Sequence, residues 1–266
     1  MDFSSWWNVF WTVTYSLIAV VITTSNLATI MIFVKRKLLD RARYLILSLT
    51  VADTFVGTLS VPLWIAVGFY EDHLLSLVFQ CTDIFTGVVS IFTLASISLE
   101  RMHAILWPLH HRTLTLRFYT CVIGIPWIFG LVGMSCRFFS FYDGISWMGF
   151  TIIINVLLLA PLLITIIAYV LIWRKQRHRL PNEVQVDDRD KKLAKTLRTI
   201  TGAFILTWGP HQVINTVFIS GVSIRSWPYL VFHIMKIMQF INSFINVVVY
   251  SLRIPEFREA LYSFFL

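Results

Sequence analysis

Long stretches without charged side chains alternate along the sequence with short segments in which lysine and arginine concentrate. A helix needs about 20 mostly apolar residues to cross the hydrocarbon core of a bilayer. Seven stretches meet this requirement, and the predicted spans are 7–34, 43–70, 74–106, 117–137, 146–174, 193–220 and 227–251. A short amphipathic eighth helix is predicted at 254–264. The pattern therefore predicts an all-α membrane protein, built as a seven-transmembrane helix bundle.

The composition supports a membrane protein, because 57% of the residues are hydrophobic and 14% are charged. A soluble domain is about 25% charged and about 45–50% apolar. A disordered tail, a coiled coil and an ordinary cytosolic enzyme are thereby excluded. Seven spans of about 24 residues leave only loops and tails, so we expect a single domain over residues 1–266.

Most of the 22 lysine and arginine residues fall on one side of the membrane if the N-terminus lies outside. The positive-inside rule therefore predicts an extracellular N-terminus, with the C-terminus and the eighth helix inside. This bias explains the net charge of +8 without any nucleic-acid partner. Basic inner loops also suit anionic membrane lipids.

Placing a polar residue in the hydrocarbon core costs free energy, so each polar residue inside a predicted span is a candidate functional residue. Asp53 lies in the middle of the second span, and Ser90, Asn242 and Asn246 lie at a similar depth. These residues could bind a cation, for which Na⁺ is the candidate. A structural polar network that joins the helices is the alternative, and the spacing leaves both open.

The inner ends of two spans carry opposite charges. The third span ends in Glu100-Arg101, and Asp190 precedes the sixth span at the same depth as Arg101. An ion pair between Arg101 and Asp190 would latch the two helices together, whereas a snorkelling anchor is the alternative. Pro210 follows Trp208-Gly209 in the sixth span, where a proline kink beside an indole is a candidate moving part.

Taken in order, the motifs of the spans resemble those of a rhodopsin-like (class A) G-protein-coupled receptor over nearly the full chain. The matching residues are Asn26, Leu49, Ala52, Asp53, Glu100, Arg101, Pro108, Leu109, Trp127, Pro161, Tyr169, Phe204, Trp208, Pro210, Asn246, Tyr250 and Phe257. Four positions depart from the family pattern. Met102 replaces a tyrosine, Val247 a proline and Thr207 a cysteine, and Ser76 stands near the position of the family's outer third-helix cysteine.

The resemblance implies a multi-pass receptor of the plasma membrane rather than an enzyme. Such a receptor binds an extracellular small ligand and activates heterotrimeric G proteins by nucleotide exchange. The implied activation switch comprises Glu100, Arg101, Asp190, Phe204, Trp208, Pro210, Tyr169, Asn246 and Tyr250. An ion transporter or channel is a remote alternative, since the two halves of the sequence show no internal repeat.

The third span also resembles that of biogenic-amine receptors, which carry an aspartate at the position of Asp83 as the counterion of an ammonium. Asp83 precedes Arg101 by 18 residues, about 27 Å of helix, and so lies near the outer end. Lys236 lies at a similar depth and could pair with Asp83. We expect Asp83 to be unpaired, because its surroundings resemble amine receptors and Lys236 can point outward.

The ligand class stays open between an amine and another small organic molecule, and a short peptide is a further alternative. The expected ligand-binding residues are Asp83, His211, Gln212, Asn215, His233, Lys236 and Phe240. The lysine that binds retinal in opsins would align with Phe240, so no retinal cofactor is expected. Cys81 and Cys136 lie near outer ends of spans and could form a disulfide.

Overall fold

The computed structural model describes residues 6–35, 43–177 and 229–253, with shorter pieces at 199, 202–203, 205–214, 216–217, 257–259 and 262. Six helices of the described part are long and apolar enough to cross a membrane. They are Trp6–Lys35, Arg43–Phe69, His73–Leu106, Leu116–Phe141, Trp147–Arg177 and Tyr229–Arg253. We refer to them as the first to fifth spans and the seventh span.

The sixth predicted span is described in pieces, and residues 205–214 of it are helical. With this segment between the fifth and seventh spans, the chain fits a seven-helix bundle. Asp190, Phe204 and Asn215 lie outside the described residues. Of the eighth helix, residues 257–259 and 262 are described as helical.

The second span contains a π-helical turn, which separates Arg43–Phe55 from Val61–Phe69. The latter segment lies toward the side predicted to be extracellular, which we call the outer side. Pro62 stands at the start of that outer segment and has no backbone N–H to donate. A single π-turn commonly marks such an interruption of the backbone ladder. Beyond it, the ring of Trp64 lies 5.2 Å from that of Phe79 in the third span.

The third span lies at the centre of the bundle and packs most extensively on the fourth and fifth spans. The Oδ1 atom of Asp72 caps it by accepting hydrogen bonds from the backbone N–H groups of Leu74 and Leu75, at 2.6 Å and 2.9 Å. Gly130 allows the fourth span to approach, because a Cβ there would lie 2.6 Å from Val89. This helix carries the candidate residues Asp83 near its outer end, Ser90 in its middle and Glu100-Arg101 near its inner end.

Two apolar clusters hold the bundle together. The larger one joins the first five spans to the seventh span and includes Trp208 of the sixth. The smaller one lies between the outer parts of the first, second, third and seventh spans and contains Trp11, Tyr15, Phe79 and Phe240. Many large apolar side chains on the outer faces are exposed, as a lipid-facing surface requires.

Candidate functional site

Asp83 of the third span and Lys236 of the seventh span form an ion pair. The Nζ atom of Lys236 donates to Oδ2 of Asp83 at 2.7 Å and to Oε1 of Gln239 at 3.0 Å. The side-chain amide of Gln239 donates to both oxygens of Asp83, at 3.2 Å and 3.3 Å. The expectation of an unpaired Asp83 is therefore wrong. A largely buried carboxylate is costly without a partner, and the long stem of Lys236 allows its ammonium to turn inward.

Three aromatic rings surround the ammonium of Lys236. Its Nζ atom lies 5.6 Å from the ring centroid of Trp64 and 5.0 Å from those of Phe79 and Phe240. Such contacts stabilise a partly desolvated cation. The sequence analysis missed Trp64, Phe79 and Gln239. The spacing of Gln239, three residues after Lys236 on the same helix face, was the available signal.

A cavity of about 50 Å³ adjoins the ion pair, and Asp83, Gly87, Trp208, His211 and Gln239 are among its lining residues. The buried indole of Trp208 meets His211 edge to face, with ring centroids 5.9 Å apart. Gly87 makes room for this indole, because a Cβ there would lie 2.7 Å from Cη2 of Trp208. The predicted moving part of the sixth span thus contacts the predicted ligand site directly.

The expected ligand-binding residues do not all meet in one place. Asp83, Lys236 and Phe240 lie together, and His211 lines the cavity beside Asp83. Gln212 instead donates to Oδ1 of Asn155 in the fifth span at 2.6 Å.

His233 faces the first span. Its Nδ1 atom lies 2.9 Å from the hydroxyl of Tyr15, and its ring stacks on Trp11 at 4.2 Å. His233 therefore belongs to a different part of the bundle from Asp83.

Asp53 is fully buried and joins the second span to its neighbours. Its Oδ1 atom accepts from Ser90 Oγ at 3.3 Å, and its Oδ2 atom accepts from Asn246 Nδ2 at 2.7 Å. Asn242 is engaged differently, because its Oδ1 atom accepts from Thr207 of the sixth span at 3.1 Å. Depth in the membrane thus predicted the contacts of Asp53 with Ser90 and Asn246, but not the partner of Asn242.

The oxygens around Asp53 fit a small hard cation. The Oδ1 atom of Asn246, whose Nδ2 atom donates to Asp53, is buried and has no hydrogen-bond partner among the described residues. Carboxylate, hydroxyl and amide oxygens, as on Asp53, Ser90 and Asn246, are the kind of ligands that hard cations prefer. A cavity of about 10 Å³, lined in part by Ser90 and Asn242, adjoins these groups.

At the inner end of the third span, Glu100 and Arg101 form an ion pair, and both are buried. His111 Nε2 lies 2.8 Å from Oε1 of Glu100, and the hydroxyl of Tyr119 donates to the same oxygen at 3.1 Å. The short helix Pro108–Arg112 returns His111 toward the third span, which the sequence analysis missed. Asp190, the predicted latch partner of Arg101, lies outside the described residues.

The other predicted switch residues are placed as follows. Tyr169 is partly buried and packs against the small inner cluster of Ile105 and Ile172. Pro210 continues the helical segment 205–214, and Tyr250 lies in the seventh span with a side chain outside the described set.

The predicted disulfide does not form, because Cys81 and Cys136 are both free thiols in the structure. The Sγ atom of Cys81 lies 3.8 Å from the carbonyl oxygen of Met134. Cys136 follows Met134 by two residues, which turns its side chain to another face of the helix. There it packs against the larger apolar cluster.

The helices and their polar clusters define a multi-pass helical membrane protein of the receptor type. The family described as "7 transmembrane receptor (rhodopsin family)" matches residues 25–250. The chain belongs to this family, which confirms the resemblance drawn from its motifs. The members of the family are receptors and not enzymes, so the prediction that the chain is not an enzyme is also confirmed.

Relatives of two kinds are similar to the chain. Adenosine receptor A2b of Gallus gallus is 27% identical over 82% of the chain and 77% of its own length. Adenosine receptor A2a of Canis lupus familiaris is 26% identical over 96% of the chain and 71% of its own length. Trace amine-associated receptor 13c of Danio rerio is 23% identical over 94% of the chain and 84% of its own length.

Proposed function

We propose that the chain is a plasma-membrane receptor with an extracellular N-terminus. It binds a small extracellular ligand in the cavity between the third, fifth, sixth and seventh spans. Ligand binding activates a heterotrimeric G protein by promoting nucleotide exchange. The observation that carries this proposal is the Asp83–Lys236 ion pair, because its Asp83 lines a cavity that Trp208 also lines.

The ion pair favours an uncharged polar ligand. Lys236 and Gln239 already occupy both carboxylate oxygens of Asp83, so an ammonium ligand would have to displace Lys236 from it. Breaking a buried pair is unfavourable by several kcal/mol. The names of the adenosine receptors among the relatives point to a nucleoside, an uncharged ligand of this kind. Retinal is not expected, as in the sequence analysis.

An amine is the second candidate ligand. Asp83 stands at the position of the amine counterion, and trace amine-associated receptors are among the relatives. This candidate requires Lys236 to swing outward when the ligand binds. The two candidates therefore differ in the wild type, where only the second predicts strong binding of an amine while Lys236 is present.

Activation follows from a shift between two conformations. A ligand shifts this equilibrium only by its differential affinity for the two states. A ligand beside Asp83 contacts Trp208 and so acts on the sixth span near Pro210. Outward movement of that span opens the latch between Arg101 and Asp190, and a G-protein helix enters the inner cleft. By reciprocity, the bound G protein tightens ligand binding.

Na⁺ is proposed to bind at Asp53 in the inactive conformation. Asp53, Ser90 and the amide oxygen of Asn246 are the described residues that would hold it, with Asn242 in the adjoining cavity. The cation would balance the buried carboxylate and join the second, third and seventh spans. Movement of the seventh span would remove Asn246 from the site.

The receptor proposal is tested by nucleotide exchange on added G protein in membranes that carry the chain. Adenosine is the uncharged probe and β-phenylethylamine is the amine probe. We expect adenosine to stimulate exchange and Asp83→Asn to weaken its effect. Stimulation by the amine alone, with loss of the response in Asp83→Ala, would overturn the ligand class but not the receptor. Failure of a broad ligand library, with no basal exchange at normal surface expression, would overturn the receptor function.

The latch has its own test. Asp190→Ala removes the partner proposed for Arg101, and we expect basal exchange to rise because the sixth span is released. Asp190→Glu keeps the negative charge and serves as the matched control, with basal exchange close to that of the wild type. Equal basal exchange in Asp190→Ala and in the wild type, at equal surface expression, would contradict the latch.

A further inference from the structure

Arg137 is a buried cation near the outer end of the fourth span. It is only 7% exposed, and its Nε atom donates to Oε1 of Gln80 in the third span at 2.8 Å. One turn further in, a Cβ on Gly133 would lie 3.0 Å from Ile84, which lines the cavity beside Asp83. Arg137 is not among the described residues that line that cavity, so it belongs to a separate place nearer the outer surface.

Three aromatic rings hold the guanidinium of Arg137 in place. Its Cζ atom lies 5.5 Å from the ring centroid of Trp147, 5.6 Å from that of Phe150 and 5.9 Å from that of Phe141. Such contacts stabilise a partly desolvated cation. They position the guanidinium between the third, fourth and fifth spans, but they supply no opposite charge.

No carboxylate pairs with Arg137 among the residues that the structure describes. Gln80, its hydrogen-bond partner there, carries no charge. Asp143, in the short loop between the fourth and fifth spans, is exposed and forms no ion pair in the described part of the chain. Burying a cation costs hydration free energy, which an amide and aromatic rings offset only in part. An anion is therefore the partner that this guanidinium lacks.

The two terminal nitrogens of Arg137 carry the available donors. A guanidinium has five N–H donors, and the Nε atom uses one of them on Gln80. Neither Nη atom has a hydrogen-bond partner in the described part of the chain, and neither is among the fully buried polar atoms that lack one. Both Nη atoms therefore keep accessible surface through which a ligand can reach them. A guanidinium can donate two parallel hydrogen bonds to one carboxylate or phosphate.

We propose that Arg137 is an oxyanion-binding site on the outer side of the protein. A carboxylate or phosphate group accepts hydrogen bonds from both Nη atoms, while Gln80 and the three rings keep the guanidinium in position. The oxyanion comes from a soluble molecule or from the phosphate of a lipid headgroup, because the outer end of a span lies at the level of the headgroups. Binding there uses neither Asp83 nor Lys236.

Direct binding to the purified full chain in maltoside micelles tests the site, because this detergent carries no anionic group. Benzoate is the probe, and benzamide, which has the same ring and an uncharged amide, is the comparison. Saturation-transfer NMR measures both affinities at constant potassium concentration, with empty micelles as background. Hydrogen bonds to a charged acceptor predict that benzoate binds at least about tenfold more tightly than benzamide. Equal affinities would overturn the proposal.

Two variants locate the binding. Arg137→Gln removes the guanidinium and should lower the affinity for benzoate to that for benzamide. Gln80→Glu places a carboxylate beside the Nε atom of Arg137, so that the protein neutralises its own cation. Benzoate affinity should then fall at least about tenfold, while the melting temperature holds or rises because an ion pair replaces a neutral contact.

The matched control is Arg177→Gln, because Arg177 is exposed and its guanidinium also lies over an indole, that of Trp173 at 5.2 Å. Benzoate affinity should not change in this variant. Thermal unfolding of each variant verifies folding. Benzoate binding that survives both Arg137→Gln and Gln80→Glu would overturn the proposal.

Reconstitution distinguishes the two sources of the oxyanion. Nanodiscs of phosphatidylcholine carry lipid phosphate, whereas nanodiscs of galactolipid carry none. Equal benzoate affinity in both membranes would assign the site to a soluble oxyanion. Weaker binding of benzoate in phosphatidylcholine, with no such difference in Arg137→Gln, would assign it to the lipid phosphate. A difference that persists in Arg137→Gln would show that the lipid phosphate binds elsewhere and would overturn its assignment to Arg137.

Discussion

The Nζ atom of Lys236 lies 2.7 Å from Oδ2 of Asp83, although the two residues are 153 positions apart in the sequence. Their side chains are 11% and 16% exposed, so water screens the interaction weakly. The pair connects the third and seventh spans in the outer half of the bundle. It also gives the carboxylate a resident counterion, in the place where an amine ligand would bind.

Removing Lys236 should leave the buried carboxylate of Asp83 without a counterion. Lys236→Ala is expected to lower the free energy of unfolding by about 3–5 kcal/mol, as for other buried pairs that lose one partner. The double variant Asp83→Asn/Lys236→Ala should regain most of that loss, because no isolated charge remains. Thermal unfolding of the purified receptor in detergent measures both effects.

The same variant should bind cations more tightly than the wild type does. With Lys236 absent, Asp83 becomes available for a charge-assisted hydrogen bond to an ammonium. Radiolabelled β-phenylethylamine should therefore bind Lys236→Ala better than it binds the wild type or Asp83→Asn/Lys236→Ala. Unchanged stability together with strong amine binding in the wild type would show that Lys236 does not neutralise Asp83.

Gly87 should be intolerant of a side chain. A Cβ at this position would lie 2.7 Å from Cη2 of Trp208, so Gly87→Ala must displace the indole. Overpacking of this kind costs about 1–3 kcal/mol of stability. Because Trp208 contacts His211 in the sixth span, basal nucleotide exchange should change as well.

The matched control for Gly87→Ala is Gly124→Ala in the fourth span, where a Cβ would meet nothing within 4 Å. Gly124→Ala should leave both the melting temperature and basal exchange close to wild-type values. Combining Gly87→Ala with Trp208→Phe should restore stability, since the smaller ring vacates the space. Equal melting temperatures for Gly87→Ala and Gly124→Ala would refute the close packing.

Na⁺ should stabilise the wild-type protein through Asp53. Raising NaCl in exchange for choline chloride, at constant ionic strength, should increase the melting temperature and lower agonist affinity. Asp53→Asn removes the charge but keeps the shape, so both effects should disappear. Asn246→Ala should weaken them, because Asn246 supplies one of the oxygens proposed for the cation. A wild-type protein that is indifferent to Na⁺ would mean that the cluster is only structural.

The sequence predicts the depth of a residue in the membrane better than the direction of its side chain. The scarcity of charged residues placed the third span at 74–106, and the described helix is His73–Leu106. The predicted depths also placed Asp53 level with Asn246, and the two side chains form a hydrogen bond in the structure. Depth alone could not decide whether the stem of Lys236 turns inward or outward, because both orientations suit a long side chain near the membrane surface.

The sequence also could not predict in which direction around the helix axis a side chain points. Cys81 and Cys136 lie at compatible depths, yet the thiol of Cys81 meets the carbonyl of Met134 and Cys136 faces elsewhere. His233 shows the same limit, because it was expected beside Asp83 but its ring stacks on Trp11 of the first span.

Tyr119 should hold the inner end of the third span in its inactive arrangement. Its hydroxyl donates to Oε1 of Glu100 at 3.1 Å, and Glu100 in turn pairs with Arg101. A hydrogen bond to a charged group contributes about 1.5–3 kcal/mol. Tyr119→Phe should therefore loosen Glu100, release Arg101 for the G protein and raise basal nucleotide exchange by about tenfold or more.

The control for Tyr119→Phe is Tyr142→Phe, which removes the hydroxyl of an exposed tyrosine beyond the outer end of the fourth span. Basal exchange should be unchanged in that variant. His111→Phe removes the other contact to Oε1 of Glu100, at 2.8 Å, and should raise basal exchange in the same direction. Because both contacts end on one oxygen, the double variant should exceed either single variant. Basal exchange that falls in Tyr119→Phe at equal surface expression would show that the tyrosine supports the active arrangement instead.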